Sequence, residues 1–415
     1  MSGSVTYEKS SSVHLWKIQN EEDFTEFYQR IPDYVVDASD SGHYEFRFLS
    51  DGNYRLVAVD RSATGYAISP ERMVYGLSWK SLVQIGDSKE ITGQNIRIPD
   101  KMGGIKMTQA EWMTGNWSTI TFSDKISEWE PALLIHVLYE DSSVYTPTKF
   151  LDPVDASKLH LTFSDLGENR YITFMTNGII QGEETILDSG LIKVRIDTST
   201  DTTNLSIKTL TKNFLLKIEE DKIIPFHIVF TNLIDSAKSK HSFSLMQDTV
   251  SVPFNFTWNS LLHSTITPLE NWLPRTSYKL LVFRDEIQTL FGQSLKDSVK
   301  TISFKTTDFQ GYGSLIGSTI KQIQSRIVAE VSSMEKEPSV FRSVVNLDGN
   351  FDMKKLPKGN YSLFFFQDSD GNDKYSHGRV QPYKPSEWFY EYPDTVKIRT
   401  NWDLELNSIN LEQNP

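Results

Sequence analysis

The chain contains no cysteine among its 415 residues. Disulfide bonds, thiolate metal sites and cysteine nucleophiles are therefore excluded. The absence leaves the cellular compartment open, because exported and cytosolic proteins can both lack this residue. The fold must instead rest on hydrophobic cores, for which the chain carries 24 Phe, 17 Tyr and 9 Trp.

Positive charge is scarce as well. The chain has 42 Lys and Arg against 54 Asp and Glu, which gives a formal net charge of −12. A phosphate-binding surface needs clustered Lys and Arg, and the sequence has no basic run. We therefore expect neither nucleic acid nor an anionic membrane as a partner, and the acidic excess mainly keeps a long chain soluble.

Long apolar runs are also missing. No stretch approaches the ~20 apolar residues that a membrane-spanning helix needs, so no transmembrane segment is predicted. Residues 1–7 contain no basic segment followed by an apolar one. They predict an opening strand of a domain rather than a signal peptide.

Helical periodicity is limited to residues 21–28 and, weakly, to residues 319–333. Elsewhere, short alternating runs are interrupted by Gly, Asn, Asp and Pro, which is typical of β-sandwiches. At roughly 100–150 residues per domain, the length predicts three or four domains. The predicted fold class is therefore all-β, as a tandem array of β-sandwich domains.

A segment near the N-terminus recurs near the C-terminus. Residues 42–59 match residues 349–366 without a gap, at an offset of 307 residues. A constant offset predicts one module built twice. Alternating residues flank the Asp51-Gly52 and Lys358-Gly359 turns, so each copy is predicted to be a β-hairpin. The alternation also predicts inward-facing side chains, namely Tyr54, Leu56, Tyr361 and Leu363.

A second repeat lies inside the first. Residues 120–126 match residues 228–234 at an offset of 108, and residues 171–189 parallel residues 278–298. This repeat predicts that Phe122 and Phe230 are buried. Residues 197–203 form a polar run typical of a linker. The two repeats together predict four modules, at residues 1–101, 102–197, 198–308 and 309–415.

Residues of the third module resemble a bacterial Ig-like domain of the S-layer type. The resemblance rests on residues 228–235, 272–278, 287–292 and 302–306, and the second module resembles a degenerate copy. The outer modules resemble carboxypeptidase regulatory-like domains, which are also described as transthyretin-like or Cna-B-like. That resemblance rests on residues 349–351 and 356–361.

The order of the modules resembles the C-terminal part of bacterial exported Ig-like lipoproteins. The resemblance implies a place in the periplasm or on the cell surface, and a non-enzymatic role as a semi-rigid spacer or scaffold. The alternative is a carbohydrate- or protein-binding module that uses the loops and aromatic residues of the last domain. A cell-surface protein or a glycan is accordingly the expected partner.

Residues 368–375 are the best candidates for a metal site. Asp368, Asp370 and Asn372 would supply side-chain oxygens, and Lys374 a backbone carbonyl, at alternate positions of a tight loop. Oxygen ligands in this pattern favour Ca²⁺. Gly stands at the fourth position rather than the sixth, and Arg379 replaces the usual Glu at the twelfth. The alternative is a plain turn.

Alternating aromatic residues suggest a second candidate surface. Trp388, Tyr390 and Tyr392 share one face of a predicted strand. An exposed row of this kind would stack on sugar rings or contact a protein. The alternative is that the three side chains pack on the core of their own module. No catalytic residues are predicted, because the eight histidines are dispersed and no nucleophile motif is present.

Overall fold

The structure is a computed structural model. It describes residues 1–19, 21–70, 72–86, 90–101, 104–113, 115–126, 135–164, 166, 170–181, 184–197, 199, 202–239, 242–320, 325–336 and 338–411. About half of the chain is strand (51%) and 4% is helix, in several separate and mostly antiparallel sheets. The predicted all-β fold class is therefore confirmed.

The chain divides into two compact units. The first unit joins residues 1–103 to residues 311–415, and the second comprises residues 104–310. The predicted first and last modules thus lie together in one unit. These two modules, which lie far apart in the sequence, therefore also contact each other. The predicted boundary at residue 102, and part of the linker at 197–203, fall outside the described residues.

The first module is a two-sheet sandwich. Its strands are β1 (Ser2–Thr6), β2 (Ser11–Ile18), β3 (Tyr34–Asp37), β4 (His43–Glu45), β5 (Gly52–Asp60), β6 (Tyr75–Leu77), β7 (Val83–Ile85) and β8 (Ile96–Arg97). One sheet has the order β4-β1-β8, and the other has the order β3-β2-β5-β6, with β7 also beside β5. The predicted helix is confirmed as α1 (Glu21–Glu26), followed by a 3-10 turn over Phe27–Gln29.

Within its described residues, the second module contains ten strands. They are β9 (Met107–Met113), β10 (Trp117–Phe122), β11 (Ile135–Leu138), β12 (Val144–Tyr145), β13 (Thr148–Leu151), β14 (Lys158–Thr162), β15 (Tyr171–Thr176), β16 (Ile179–Gln181), β17 (Glu184–Leu187) and β18 (Gly190–Arg195). Its two main sheets have the orders β13-β14-β10-β9 and β12-β11-β15-β18.

The third module follows the same plan. Its strands are β19 (Ile207–Thr209), β20 (Leu215–Ile218), β21 (Phe226–Phe230), β22 (Phe243–Gln247), β23 (Val250–Ser251), β24 (Phe254–Ser260), β25 (His263–Pro268), β26 (Ser277–Phe283) and β27 (Val299–Phe309). The sheets have the orders β24-β25-β21-β19 and β23-β22-β26-β27-β20. Strand for strand, these orders equal those of the second module, with β20 added at one edge.

The last module repeats the plan of the first. Its strands are β28 (Tyr312–Thr319), β29 (Ile327–Ser333), β30 (Val340–Val345), β31 (Asn350–Pro357), β32 (Gly359–Gln367), β33 (Arg379–Val380), β34 (Tyr383–Lys384), β35 (Phe389–Glu391), β36 (Val396–Ile398) and β37 (Asp403–Ile409). One sheet has the order β31-β28-β37, and the other has the order β30-β29-β32-β35, with β36 also beside β32. In both modules the first strand pairs antiparallel on one side and parallel on the other.

The repeated segment that predicted a hairpin is not a hairpin. β4 pairs with β1, whereas β5 pairs with β2, β6 and β7, so the Asp51-Gly52 turn joins opposite sheets. β31 and β32 are separated in the same way. The Tyr54 hydroxyl donates to the carbonyl of Ser50, and the Tyr361 hydroxyl donates to that of Pro357, each at 2.7 Å. The repeated tyrosine thus braces a connection between sheets, as a tyrosine corner does.

Each module has its own hydrophobic core. The predicted inward-facing residues are confirmed: Tyr54, Leu56, Phe122, Phe230, Tyr361 and Leu363 are all buried. The first module also carries a second apolar cluster on the other face of its larger sheet, formed by Trp16, Phe27, Val57, Val59 and Tyr75 with their neighbours. Val380 of the last module completes this cluster.

Candidate functional site

The predicted metal loop leaves the end of β32 and precedes the short β33–β34 hairpin. The structure brings Asp368 and Asp370 together and adds Glu387, which lies just before β35. One carboxylate oxygen from each residue lies within 4.8 Å of the others. Two oxygens bound to the same Ca²⁺ are at most about 5 Å apart, because each bond is about 2.4 Å long. The spacing of the three carboxylates therefore fits Ca²⁺.

The same carboxylates already accept hydrogen bonds. Arg326 Nε donates to Asp368 Oδ2 at 2.7 Å, and Lys384 Nζ lies 3.3 Å from Asp370 Oδ2. The backbone N–H groups of Ser369 and Ser376 donate to the two oxygens of Glu387, at 2.6 and 3.1 Å. Because each carboxylate oxygen has two lone pairs, these contacts leave acceptor capacity for a cation.

Burial sets the ionisation of this acidic cluster. Burial raises the pKa of Glu387 to about 7, and the nearby carboxylates of Asp370 and Asp368 add to this rise. Burial also acts to raise the pKa of Asp368, but hydrogen bonds from Arg326 and the backbone lower it overall. Neighbouring carboxylates that repel one another are stabilised by a shared cation.

The other two predicted ligands have different surroundings. The side-chain oxygen of Asn372 accepts a hydrogen bond from the backbone N–H of Lys374 at 2.6 Å. The backbone N–H of Asn372 donates to Asp368 Oδ1 at 3.0 Å. These bonds shape the turn, so Glu387 is a stronger ligand candidate than Asn372. Sequence reasoning missed Glu387 because it lies 17 residues beyond Asp370, on the far side of the hairpin.

The aromatic row is part of the core. Trp388 is buried (3% exposed) within the core of the last module, and Tyr390 and Tyr392 are half-buried against it. The three side chains do lie on one side, as predicted, but β35 spans only Phe389–Glu391 and that side faces the core. The predicted exposed ligand surface at these residues is therefore wrong, since the core needs large apolar rings between its two sheets.

The β33–β34 hairpin carries the last module onto the first. Val380 is buried in the second apolar cluster of the first module, and its backbone N–H donates to the Tyr75 hydroxyl at 3.3 Å. The Tyr383 ring lies over the guanidinium group of Arg55, 3.4 Å from ring centroid to Cζ. Together these contacts form the outer-module interface.

Charged and polar pairs border the outer-module interface. Arg97 Nη1 and Glu391 Oε1 are 3.0 Å apart. His377 Nδ1 lies 3.1 Å from the carbonyl oxygen of Arg97, and its own carbonyl accepts from Leu77 N at 3.2 Å. Burial lowers the pKa of His377 to about 4, so the imidazole is neutral at pH 7. Its Nδ1 donates to the carbonyl oxygen of Arg97.

Arg55 is a fully buried cation at this interface, 1% exposed. The rings of Phe24, Phe27 and Tyr383 lie 4.1, 4.8 and 3.4 Å from its guanidinium carbon. Burial lowers the pKa of Arg55. Aromatic faces offset part of the cost of desolvating a guanidinium group, because their quadrupole attracts a cation.

Sequence reasoning also missed a buried polar chain in the second module. His160 Nδ1 lies 2.9 Å from Thr119 Oγ1, and its Nε2 lies 2.9 Å from Asp152 Oδ2. The residue types match a nucleophile, base and carboxylate triad. Thr119 and His160 are buried, however, and the Trp117 ring packs against the imidazole. The arrangement is that of a structural network that links β10 and β14 to Asp152, the residue after β13.

Within the described residues, no helix is long and apolar enough to cross a bilayer.

The comparisons with known proteins give structural similarities only. No protein-family model and no curated protein matches the chain. It is similar to the S-layer protein rSbsC (10% identity, TM-score 0.26), over 72% of this chain and 41% of that one. It is also similar to the N-terminal part of the bacterial S-layer protein SbsC (13% identity, TM-score 0.23), over 40% of this chain and 41% of that one.

A third similar structure is the major pilin subunit BcpA of Bacillus cereus (11% identity, TM-score 0.18), over 73% of this chain and 98% of that one. The chain spans less than half the length of the two S-layer structures. At TM-scores this low, the tandem β-sandwich fold is established by the chain's own strand pairings.

Proposed function

We propose that the chain is a non-enzymatic structural protein of the bacterial exterior, in which paired β-sandwich modules act as a scaffold or spacer. The observation that carries the proposal is the outer-module interface. Val380 fills an apolar cluster of the first module, and Arg97 pairs with Glu391 across the junction. Two sandwiches joined by a buried apolar contact, with an ion pair at its border, hold a fixed geometry better than sandwiches on a flexible linker.

The resemblance of the modules to S-layer-type Ig-like and carboxypeptidase regulatory-like domains supports a place outside the cytoplasm.

The location is tested with an antibody against the purified chain, applied to intact and lysed cells of a bacterium that encodes it. We expect the antibody to label intact cells, and external protease to remove the label. Protein recovered only from the cytosol would contradict the proposal. Val380→Asp should reproduce the envelope defects of a gene deletion, whereas substitution of the exposed Tyr66 by Ala should not.

Calcium binding by the acidic cluster is a second candidate function. It is favoured by the convergence of Asp368, Asp370 and Glu387 within 4.8 Å. The cation would be held by these carboxylates, and it would brace the hairpin that carries Val380 into the first module. Few acidic ligands predict weak affinity, about 10⁻⁴–10⁻³ M, as in extracellular modules.

We predict that millimolar calcium raises the melting temperature of the full chain, because a ligand that binds the folded state stabilises it. Asp370→Asn should abolish this gain. Lys384→Gln should enlarge it, since Lys384 competes for the same carboxylate. Differential scanning calorimetry measures both, with the exposed Asp348 changed to Asn as the control. A melting temperature that calcium leaves unchanged would identify the loop as a plain turn.

A further inference from the structure

A groove of about 350 Å³ lies in the last module, between the edges of its two sheets. β36 lies beside β32 in the larger sheet and β37 ends the smaller one, so the sandwich is open along this side. Val396, Leu404 and Leu406 form the apolar floor. A second groove of about 360 Å³ lies on the other side of β36 and shares Lys397 and Arg399 with the first.

An exposed tryptophan borders the first groove. Trp402 is 61% exposed, whereas every other tryptophan within the described residues is buried or half-buried. An indole left in water beside a groove offers a large apolar area that a ligand can bury on binding. Tyr392 lines the same groove. The face of the exposed Trp402 ring is negative and apolar, and it suits the C–H face of a pyranose ring.

The charged residues that line the two grooves are mainly positive, although the chain as a whole is negatively charged. Lys358, Lys397 and Arg399 line them against a single carboxylate, that of Asp394, although the chain has a net charge of −12. Among the described residues, the side chains of Lys397 and Arg399 make no ion pair or hydrogen bond. Cations without partners beside an exposed indole fit a ligand with both a carboxylate and a flat apolar face.

We propose that this groove binds an anionic saccharide, a uronic acid or another carboxylated sugar. One pyranose ring stacks on Trp402 while Arg399 and Lys397 bind its carboxylate, because a guanidinium group matches carboxylate geometry. Asp394 also lines the groove, and its carboxylate can accept hydrogen bonds from sugar hydroxyls. The site is separate from the acidic loop, and of the inward-facing row Trp388, Tyr390 and Tyr392 only the half-buried Tyr392 reaches its edge.

The test applies the full chain to an array of carboxylated saccharides, each printed beside its neutral methyl ester. We expect binding to the carboxylated members only. The tightest of these is then titrated in solution against variants. Trp402→Ala should weaken binding about tenfold, the loss expected for one stacked ring. Lys397→Gln combined with Arg399→Gln should remove the preference for the carboxylate over the ester.

Two matched controls keep the result specific. Tyr66→Ala removes an aromatic side chain that is 63% exposed in the first module, and Lys300→Gln removes an exposed cation of the third. Neither should alter binding, and thermal melts should show that all variants remain folded, since every altered side chain is exposed. Equal binding to acid and ester, or no binding to either, would overturn the proposal.

Retention of binding in Trp402→Ala would also overturn it. Sedimentation velocity provides a further arm. A concentration-dependent dimer that disappears in Trp402→Ala would assign the groove to a second copy of the chain and refute the saccharide. None of these outcomes depends on where the protein lies in the cell. The saccharide proposal and the proposed scaffold role can therefore fail separately.

Discussion

Single side chains in this protein are explained mainly by which face of a strand they occupy. Leu363 and Phe365 point into the core of the last module, whereas Phe364 and Phe366 form a separate cluster on the other face of β32. Alternation in the sequence was sufficient to place Leu363 and Tyr361 inside. Alternation did not predict the burial of Trp388, because it indicates which residues share a face of a strand but not which face is buried.

Leu363→Ala should reduce the free energy of unfolding by about 2–5 kcal/mol, because the substitution leaves a cavity in a fully packed core. Urea unfolding measures the change. Substituting the exposed Leu347 by Ala provides the matched control, and it should cost far less. A loss below about 1 kcal/mol for Leu363→Ala would contradict its burial.

His377 should make stability depend on pH. Burial lowers its pKa from 6.5 to about 4, so between these values the unfolded chain binds more protons than the folded one. Its contribution is therefore complete above pH 6.5 and declines as the pH falls towards 4, by up to about 3 kcal/mol. His377→Gln should remove this part of the pH dependence in urea titrations at each pH.

The exposed His43 serves as the control for that measurement, since His43→Gln should leave the pH profile of wild type unchanged. Wild-type and His377→Gln profiles that run parallel from pH 6.5 to 4 would be incompatible with a neutral, buried imidazole. His14, whose pKa burial also lowers to about 4, contributes equally to both profiles and cancels in their difference.

At the scale of strands and turns, the sequence predicts what lies inside better than it predicts which strands pair. The β4–β5 and β31–β32 segments were correctly recognised as repeats but wrongly as hairpins. Alternating residues and an Asp-Gly turn fit a hairpin and a crossing between sheets equally well. Residues 327–331 have weak helical periodicity yet form a central strand, β29, between β30 and β32, where β-branched side chains pack well.

The two tyrosine corners allow a paired test of the repeat. Tyr54→Phe and Tyr361→Phe should each lower the free energy of unfolding by about 1 kcal/mol, because each removes a hydrogen bond to a backbone carbonyl. Tyr54→Phe should cost slightly more, since the Tyr54 hydroxyl also lies 2.9 Å from Ser50 Oγ. Chemical denaturation measures both, and Tyr66→Phe at an exposed site should change nothing. Costs that differ strongly between the two corners would indicate that the repeat is conserved in outline only.

For the whole molecule, sequence patterns did not predict that the first module packs against the last. The contacts join residues about 300 positions apart, such as Tyr75 and Val380. One signal was present: β5 is apolar on both faces, with Leu56 and Ala58 on one side and Val57 and Val59 on the other. A strand that is apolar on both faces is buried on both sides, but its sequence does not identify the elements that pack against it.

Separation along the chain also hid part of the acidic site, although it is much shorter here, such as the 17 residues between Asp370 and Glu387. Asp368 and Asp370 were recognisable because they lie in one loop, whereas Glu387 and Arg326 reach it from other parts of the chain. Residue spacing predicts the ligands of a site only when those ligands lie close together in the sequence.

Val380→Asp should destabilise both outer modules at once, because it places a carboxylate in an apolar cluster of the first module. Hydrogen exchange measured by mass spectrometry should show faster exchange in β2 and in β32 together. Tyr66→Ala is the control. Loss of protection confined to the last module would mean that the outer-module interface contributes little to stability.

The outer-module interface also sets an order in time. On the ribosome, Tyr75 is made about 300 residues before Val380, which at 5–20 residues per second is roughly 15–60 s. During that interval Trp16, Val57 and Val59 lack the cover that Val380 later provides. The newly made first module therefore passes through a period of exposed apolar surface, in which chaperones have their best opportunity to bind it.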